Sequence, residues 1–218
     1  MLKNKEKLDG IVLDIEFLLI SVVQGAALVT LAENAASIMA DMQFEFWLYV
    51  LSGLLIILIF WSQSIIHALS FIDWPMDLSH SFLYFLMSLI EVMAFHQLTD
   101  PLRWFAFMIA LFVVAGSLYV LDLNLINKHR EHFSLTKPRK LLFEHIFKRQ
   151  TLELKSFIPM GIAFNLLAFI SILFFPQTFL DSGYHVIFIA LQVIFGFYIL
   201  INSINSFKQR TKLISQSF

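Results

Sequence analysis

The sequence predicts an all-α polytopic membrane protein, a bundle of about six transmembrane helices with both termini on the cytoplasmic side. Three observations carry this. Apolar residues make up 59% of the 218 and charged residues only 14%, against roughly 25% charged in soluble domains. The apolar residues fall in runs of about 20, the length that crosses a bilayer as a helix. Every Lys and Arg except Arg103 lies in segments that six crossings place on one side of the membrane. Mean hydropathy is +0.78 and Phe occurs 25 times, more apolar surface than one soluble core of this size can hide.

The predicted spans are 11–32, 46–67, 80–98, 104–122, 157–178 and 184–205. Their breaks carry turn and charge residues. The first holds Glu33, Asn34, Asp41 and Glu45. The second is Asp73-Trp74-Pro75-Met76-Asp77, where Pro75 interrupts a helix. The third is Thr99-Asp100-Pro101, and the fifth runs from Pro176 to Gly183. Strands cannot span lipid with open edges. A barrel needs alternating strands of about 10 residues, half the length of these non-alternating runs.

Orientation follows from the basic residues. Lys3, Lys5 and Lys7 precede span one. Lys128, Arg130, Lys137, Arg139, Lys140, Lys148, Arg149 and Lys155 lie between spans four and five, and Lys208, Arg210 and Lys212 follow span six. The excess of Lys and Arg marks the cytoplasmic side, so the chain is expected in the plasma (inner) membrane with both ends inside. A basic N-terminus before an apolar run also fits a cleaved signal peptide, but Asp14 and Glu16 sit poorly in such a segment. The one sizeable polar segment is 123–156. Pro138 can open a helix there, with Leu141, Leu142, Ile146 and Phe147 on one face. Lys137, Arg139, Lys140, Lys148 and Arg149 then form a candidate surface for the inner leaflet or for a soluble partner. A solvated basic loop is the alternative.

Ionisable side chains at membrane depth are costly and are functional candidates by default. Asp14, Glu16, Glu91 and Asp122 qualify, and no Lys or Arg lies well inside a span to pair with them. Such acids must be protonated, hydrated, bonded to neutral groups or close to an interface. Glu91 is the deepest. Ser81, Tyr84, Ser88 and Glu91 recur every three or four residues and share a face of span three, as a cation or proton path requires. Asp14 leads a stripe with Ser21 and Gln24 in span one, while Glu16 points about 200° away. Asp122 is expected at a solvated helix end. Asn202 and Ser206 share a face of span six near Gln192, where amides also serve as glue between helices. Ser21-x-x-x-Gly25 is expected to mark a close helix contact.

The remaining chemistry is sparse. There is no cysteine, which removes thiol nucleophiles, disulfides and Cys-ligated metals. His67 and His80 near the inner side, with His96 and His185 near the outer, resemble the arrangement of six-helix cytochromes that hold two b haems, but their flanks show no supporting pattern. His96 and His185 make an equally weak metal pair, and His129, His132 and His145 belong to the basic segment. No phosphate loop, dinucleotide turn, zinc-protease or serine-hydrolase motif appears, nor a potassium-channel filter. No catalytic residue, metal or cofactor is expected.

Six helices, cytoplasmic ends and this length are similar to prokaryotic relatives of the lysosomal potassium channel. That family carries a Phe-Ser-Asp signature in its first helix, of which Val12-Leu13-Asp14 matches only the Asp. The similarity is one of architecture and assigns no family.

The sequence thus points to an oligomeric channel or carrier for small cations or protons, with Glu91, Ser88, Tyr84, Asp14, Glu16, Gln24 and Asn202 as pathway candidates. The alternative is a membrane-embedded sensing or anchoring subunit whose basic surface binds lipid headgroups or a soluble protein. The lipid bilayer and further copies of the chain are the expected partners, and nucleic acid is not. Topology is directly testable. Reporters fused after Lys7, within 128–155 and after Lys212 should read cytoplasmic, and reporters near Asp41 or Asp181 external. An external signal from 128–155 contradicts the six-span arrangement.

Overall fold

A computed structural model describes the backbone of residues 2–70, 78–128 and 137–215, and the side chains of 18–66, 79–128 and 140–212. Asp14, Glu16, His67, His129, His132, Lys137 and Arg139 have side chains outside that set. The helices are α1 (Leu2–Ala40), α2 (Trp47–Ser70), α3 (Leu78–Phe95), α4 (Pro101–Lys128), α5 (Lys137–Leu152), α6 (Ile158–Phe174) and α7 (His185–Ser215). The described residues contain no strand, and the chain is an all-α, membrane-spanning bundle. Parts of five helical segments are long and apolar enough to cross a bilayer: Leu18–Ala40, Phe44–Ile66, Pro101–Lys128, Lys140–Phe174 and His185–Lys212. The predicted third span is the exception. Helix α3 has 18 residues, near the lower limit of a crossing.

The helix ends follow local chemistry. Pro101 occupies the first position of α4, where its missing N–H costs nothing. The Asp100 carboxylate accepts the backbone N–H of Arg103 at 3.1 Å, satisfying one of the orphan donors of the first turn. The turn before α7 needs a left-handed residue, supplied by Gly183 with φ +74°. Helix α1 has 39 residues. At about 1.5 Å per residue it extends well past the ~30 Å hydrocarbon core, which matches its polar first turns.

The six long helices form a ring. Helix α2 packs against α1 and α7, α3 against α1 and α4, and α4 against α6; α6 and α7 close the ring through a light contact. At the end formed by the 41–46, 96–100 and 175–184 turns, aromatic side chains fill the centre. Tyr49, Phe95, Trp104 and Phe105 are fully buried. Tyr49 meets Trp104 edge-on at 5.5 Å and Phe105 at 6.4 Å, and Phe105 meets Phe188 at 6.1 Å. Each such pair contributes roughly 0.5–1.5 kcal/mol beyond area burial. The outside of the ring is apolar, with Val22, Leu89, Val113, Ile194 and Ile201 exposed.

Two local expectations change. The helix opened by Pro138 is continuous with α6 through a π-helical turn, Glu153–Phe157. Leu142 and Ile146 on its apolar face are buried against Ile126 of α4, while Leu141 on the flank stays exposed. Ile126 thus gives that face a protein partner in place of the leaflet. Gly25 of the Ser21-x-x-x-Gly25 motif is not at a close helix contact, since an added Cβ there would meet open space. The tight approach is at Gly161 of α6, where an added Cβ would sit 2.3 Å from the Phe112 ring of α4.

Gly161 therefore sets the α4–α6 spacing. Gly161→Ala should destabilise the bundle by about 1–3 kcal/mol, the usual cost of overpacking. Combining it with Phe112→Leu should recover much of the loss in a thermal melt in detergent. A Gly161→Ala melt at the unaltered temperature contradicts this packing.

Candidate functional site

Within the ring the polar side chains form three levels. At the aromatic end the Tyr49 hydroxyl lies 3.0 Å from His185 Nδ1, and Trp104 Nε1 donates to Gln192 Oε1 at 3.3 Å. These bonds join α2, α4 and α7 around the aromatic plug. They also account for His185, one of the two predicted outer histidines; its supposed companion His96 is exposed.

The middle level holds Glu91. Its side chain is fully buried on the inward face of α3. Gln24 of α1, itself buried, donates Nε2 to Glu91 Oε2 at 2.9 Å. The other carboxyl oxygen, Oε1, has no hydrogen-bond partner among the described residues. Glu91 and Tyr84 border a cavity of about 190 Å³ bounded by α2, α3, α4, α6 and α7. Asn165 of α6, 1% exposed, lines the same cavity. Its Nδ2 donates to the Gly161 carbonyl at 2.7 Å, which fixes the amide orientation, because a carbonyl accepts only from N–H. Asn165 Oδ1 is therefore a buried acceptor without a partner. Buried polar atoms are rarely left so.

The inner level is ionic. His80 Nε2 lies 2.9 Å from Asp122 Oδ1, and Gln150 Nε2 donates to the other Asp122 oxygen at 3.2 Å. Arg149 pairs with Glu153 and donates Nη1 to Asn202 Oδ1 at 2.9 Å. Arg210, 4% exposed, joins the same group beside Glu153, Tyr119 and Asp122. Helices α3, α4, α5 and α7 are thereby tied together below the cavity. The π-helical turn at Glu153–Phe157 falls where α5 becomes α6, and such turns re-aim side chains; Glu153 is buried at its start.

Of the predicted pathway residues, the structure brings Glu91, Gln24 and Tyr84 together. Ser88 is buried one turn below Glu91 and donates to the Tyr84 carbonyl at 3.0 Å. Asn202 stands apart from them, in the inner cluster. The predicted surface group divides: Lys140 and Lys148 are exposed, whereas the Arg149 side chain is only 14% exposed and points to Glu153. Asp122, expected at a solvated helix end, and His80, expected as an ordinary interfacial residue, instead bond to each other in the interior at 5% and 1% exposure. Packing of α5 over this end removes them from water.

Glu153, Arg210 and Asn165 escaped the sequence reading. For Asn165 a signal existed, an amide in the middle of the otherwise apolar fifth span. For Glu153 and Arg210 it did not, because both belong to segments read as part of the cytoplasmic charge. No protein-family model matches this chain, and neither curated proteins nor solved structures give a significant match.

The inner cluster should behave as one buried unit. Removing one partner of a buried pair leaves the other charge uncompensated, at roughly 3–5 kcal/mol. Glu153→Gln should therefore lower the melting temperature clearly, and adding Arg149→Met should cost less than the sum of the two single changes. The exposed Lys148→Gln should stay within about 0.5 kcal/mol of the parent. Equal effects of Glu153→Gln and Lys148→Gln contradict the arrangement.

Proposed function

We propose that this chain is a transport protein, a channel or carrier for small cations or protons, and that the cation site lies inside the six-helix ring of one protomer. One observation carries the proposal. Glu91 is a fully buried acid bordering an internal cavity, with an amide as its hydrogen-bond partner and one oxygen unpartnered. Acids at this depth are costly and mark ion or proton routes. Among the described residues, little lies outside the bundle. In this reading α3 is a sixth crossing, both termini are cytoplasmic by the distribution of Lys and Arg, and the membrane is the plasma membrane. Association of several copies is compatible with the site, which needs no residue from a second chain.

In this reading the aromatic level lies between the cavity and the outside, and the ionic level, whose Asp122, Gln150, Glu153 and Arg210 line the cavity, lies toward the cytoplasm. Transport by alternating access then requires rearrangement at each level in turn. A second reading keeps some support from Lys140 and Lys148, exposed on α5. Basic residues beside a membrane attract anionic headgroups, at about 1 kcal/mol each. On that reading the chain senses or anchors, and the cavity is incidental.

Flux separates the two. Glu91→Gln keeps shape and hydrogen bonding but cannot titrate or carry charge. In proteoliposomes it should abolish cation or proton flux, or its pH dependence, while the detergent melt stays near that of the parent. Unchanged flux in a well-folded Glu91→Gln protein removes the transport reading and leaves the sensing one.

A further inference from the structure

We propose that the cavity beside Glu91 is a binding site for a small organic cation, an ammonium group carried on an apolar body. The inference deepens the transport reading by naming the substrate class, and it rests on that reading only for the step of translocation. Buried acceptors line the cavity. Among the described residues Glu91 Oε1, Asn165 Oδ1 and Gln150 Oε1 have no hydrogen-bond partner, and all three residues border it. The Asn165 amide is held in that orientation by its bond to the Gly161 carbonyl. Among the described residues the donor to Glu91 is the neutral Gln24 amide. A ligand that brings N–H donors and positive charge satisfies these acceptors; the Arg210 guanidinium, also on the lining, lies beside the Glu153 and Asp122 carboxylates.

The walls decide between a metal ion and an organic cation. A hard inorganic cation exchanges its hydration shell for about six oxygen ligands. The cavity lining is predominantly apolar, with Leu55, Phe60, Met87, Leu111 and Phe112 among its residues and a minority of hydroxyl and amide side chains such as Ser52, Gln63 and Gln192. The apolar side chains cannot replace water around a bare ion, but they cover a hydrocarbon body well, and the aromatic faces attract an ammonium group. The volume, about 190 Å³, is that of a small molecule rather than of a single dehydrated ion. Pockets of apolar wall with a few placed polar groups are the usual form of small-molecule sites.

The ionic level borders the cavity and supplies an exit. Asp122 and Glu153 line the same cavity, and both are held by groups of the inner cluster. A cation leaving Glu91 toward the cytoplasm meets these carboxylates next, provided their present partners release them.

The test is equilibrium binding to the full chain in nanodiscs, with three probes: hexylammonium, the neutral hexanol of similar shape, and potassium. The proposal expects saturable binding of hexylammonium, at least about tenfold tighter than hexanol, since a hydrogen bond to a charged group outweighs one between neutral groups by that order. Glu91→Gln should remove that preference while leaving hexanol binding in place. Ala115→Phe, which fills the cavity from α4 and leaves Glu91 untouched, should weaken both. Equal binding of hexylammonium and hexanol, a preference retained in Glu91→Gln, or potassium displacing hexylammonium at low concentration would overturn it. Binding with the expected preference but without hexylammonium uptake in proteoliposomes upholds the site and removes the transport reading. Proton or potassium flux without hexylammonium binding upholds transport and overturns the substrate class.

Discussion

An acid at the depth of a bilayer core cannot face lipid, and the placement of Glu91 constrains the bundle around it. Turning its face of α3 inward sets the rotation of that helix. The Gln24 amide then has to reach it from α1, which fixes how α1 and α3 meet. The remaining oxygen needs space or a donor, and the ring leaves a cavity there. Most of the packing elsewhere is interchangeable apolar contact, which specifies rotation poorly because lipid solvates the same side chains equally well. Polar contacts between helices are therefore the discriminating ones, and Gln24–Glu91, Tyr49–His185, Trp104–Gln192 and Gln63–Ser203 join three different helix pairs, α2 and α7 being joined twice.

The aromatic and ionic levels differ in kind. The aromatic end is a stack of stiff rings pinned by two hydrogen bonds, with Phe46 parallel to His185 at 5.9 Å. The ionic end is a set of carboxylate, guanidinium, imidazole and amide groups held by hydrogen bonds and ion pairs. Helix α5 contributes Arg149 and Gln150 to it and is continuous with α6. Movement of α6 would thus be felt at the ionic level. The light α6–α7 contact is where the ring has least to lose on opening.

Much of the fold was legible in the sequence because hydropathy is local. A run of about 20 apolar residues identifies itself, and Pro101, Pro176 and the basic clusters mark the ends. Glu91 was legible for the same reason, as the acid farthest from any break. What the sequence withheld was azimuth and long-range partnership. Asp122 and His80 lie 42 positions apart, and each viewed alone resembles an ordinary helix end. Arg149 counts as one more cytoplasmic charge until α5 is seen to continue into α6, which turns it toward Glu153. The apolar face of α5 was visible, but a helical period does not say whether lipid or Ile126 covers it.

The central claim is that the interior of a single ring, and not its lipid-facing surface, is reached by cations. The absence of native cysteine makes this testable without background. Ala115 borders the cavity on α4, and Val113 on the same helix faces outward at 51% exposure. The measurement is the rate at which a small water-borne cationic thiol reagent modifies Ala115→Cys and Val113→Cys in a membrane. The account predicts that Ala115→Cys reacts, that Glu91→Gln slows the reaction, and that Val113→Cys stays inert. An inert Ala115→Cys beside a folded, membrane-inserted protein would contradict it.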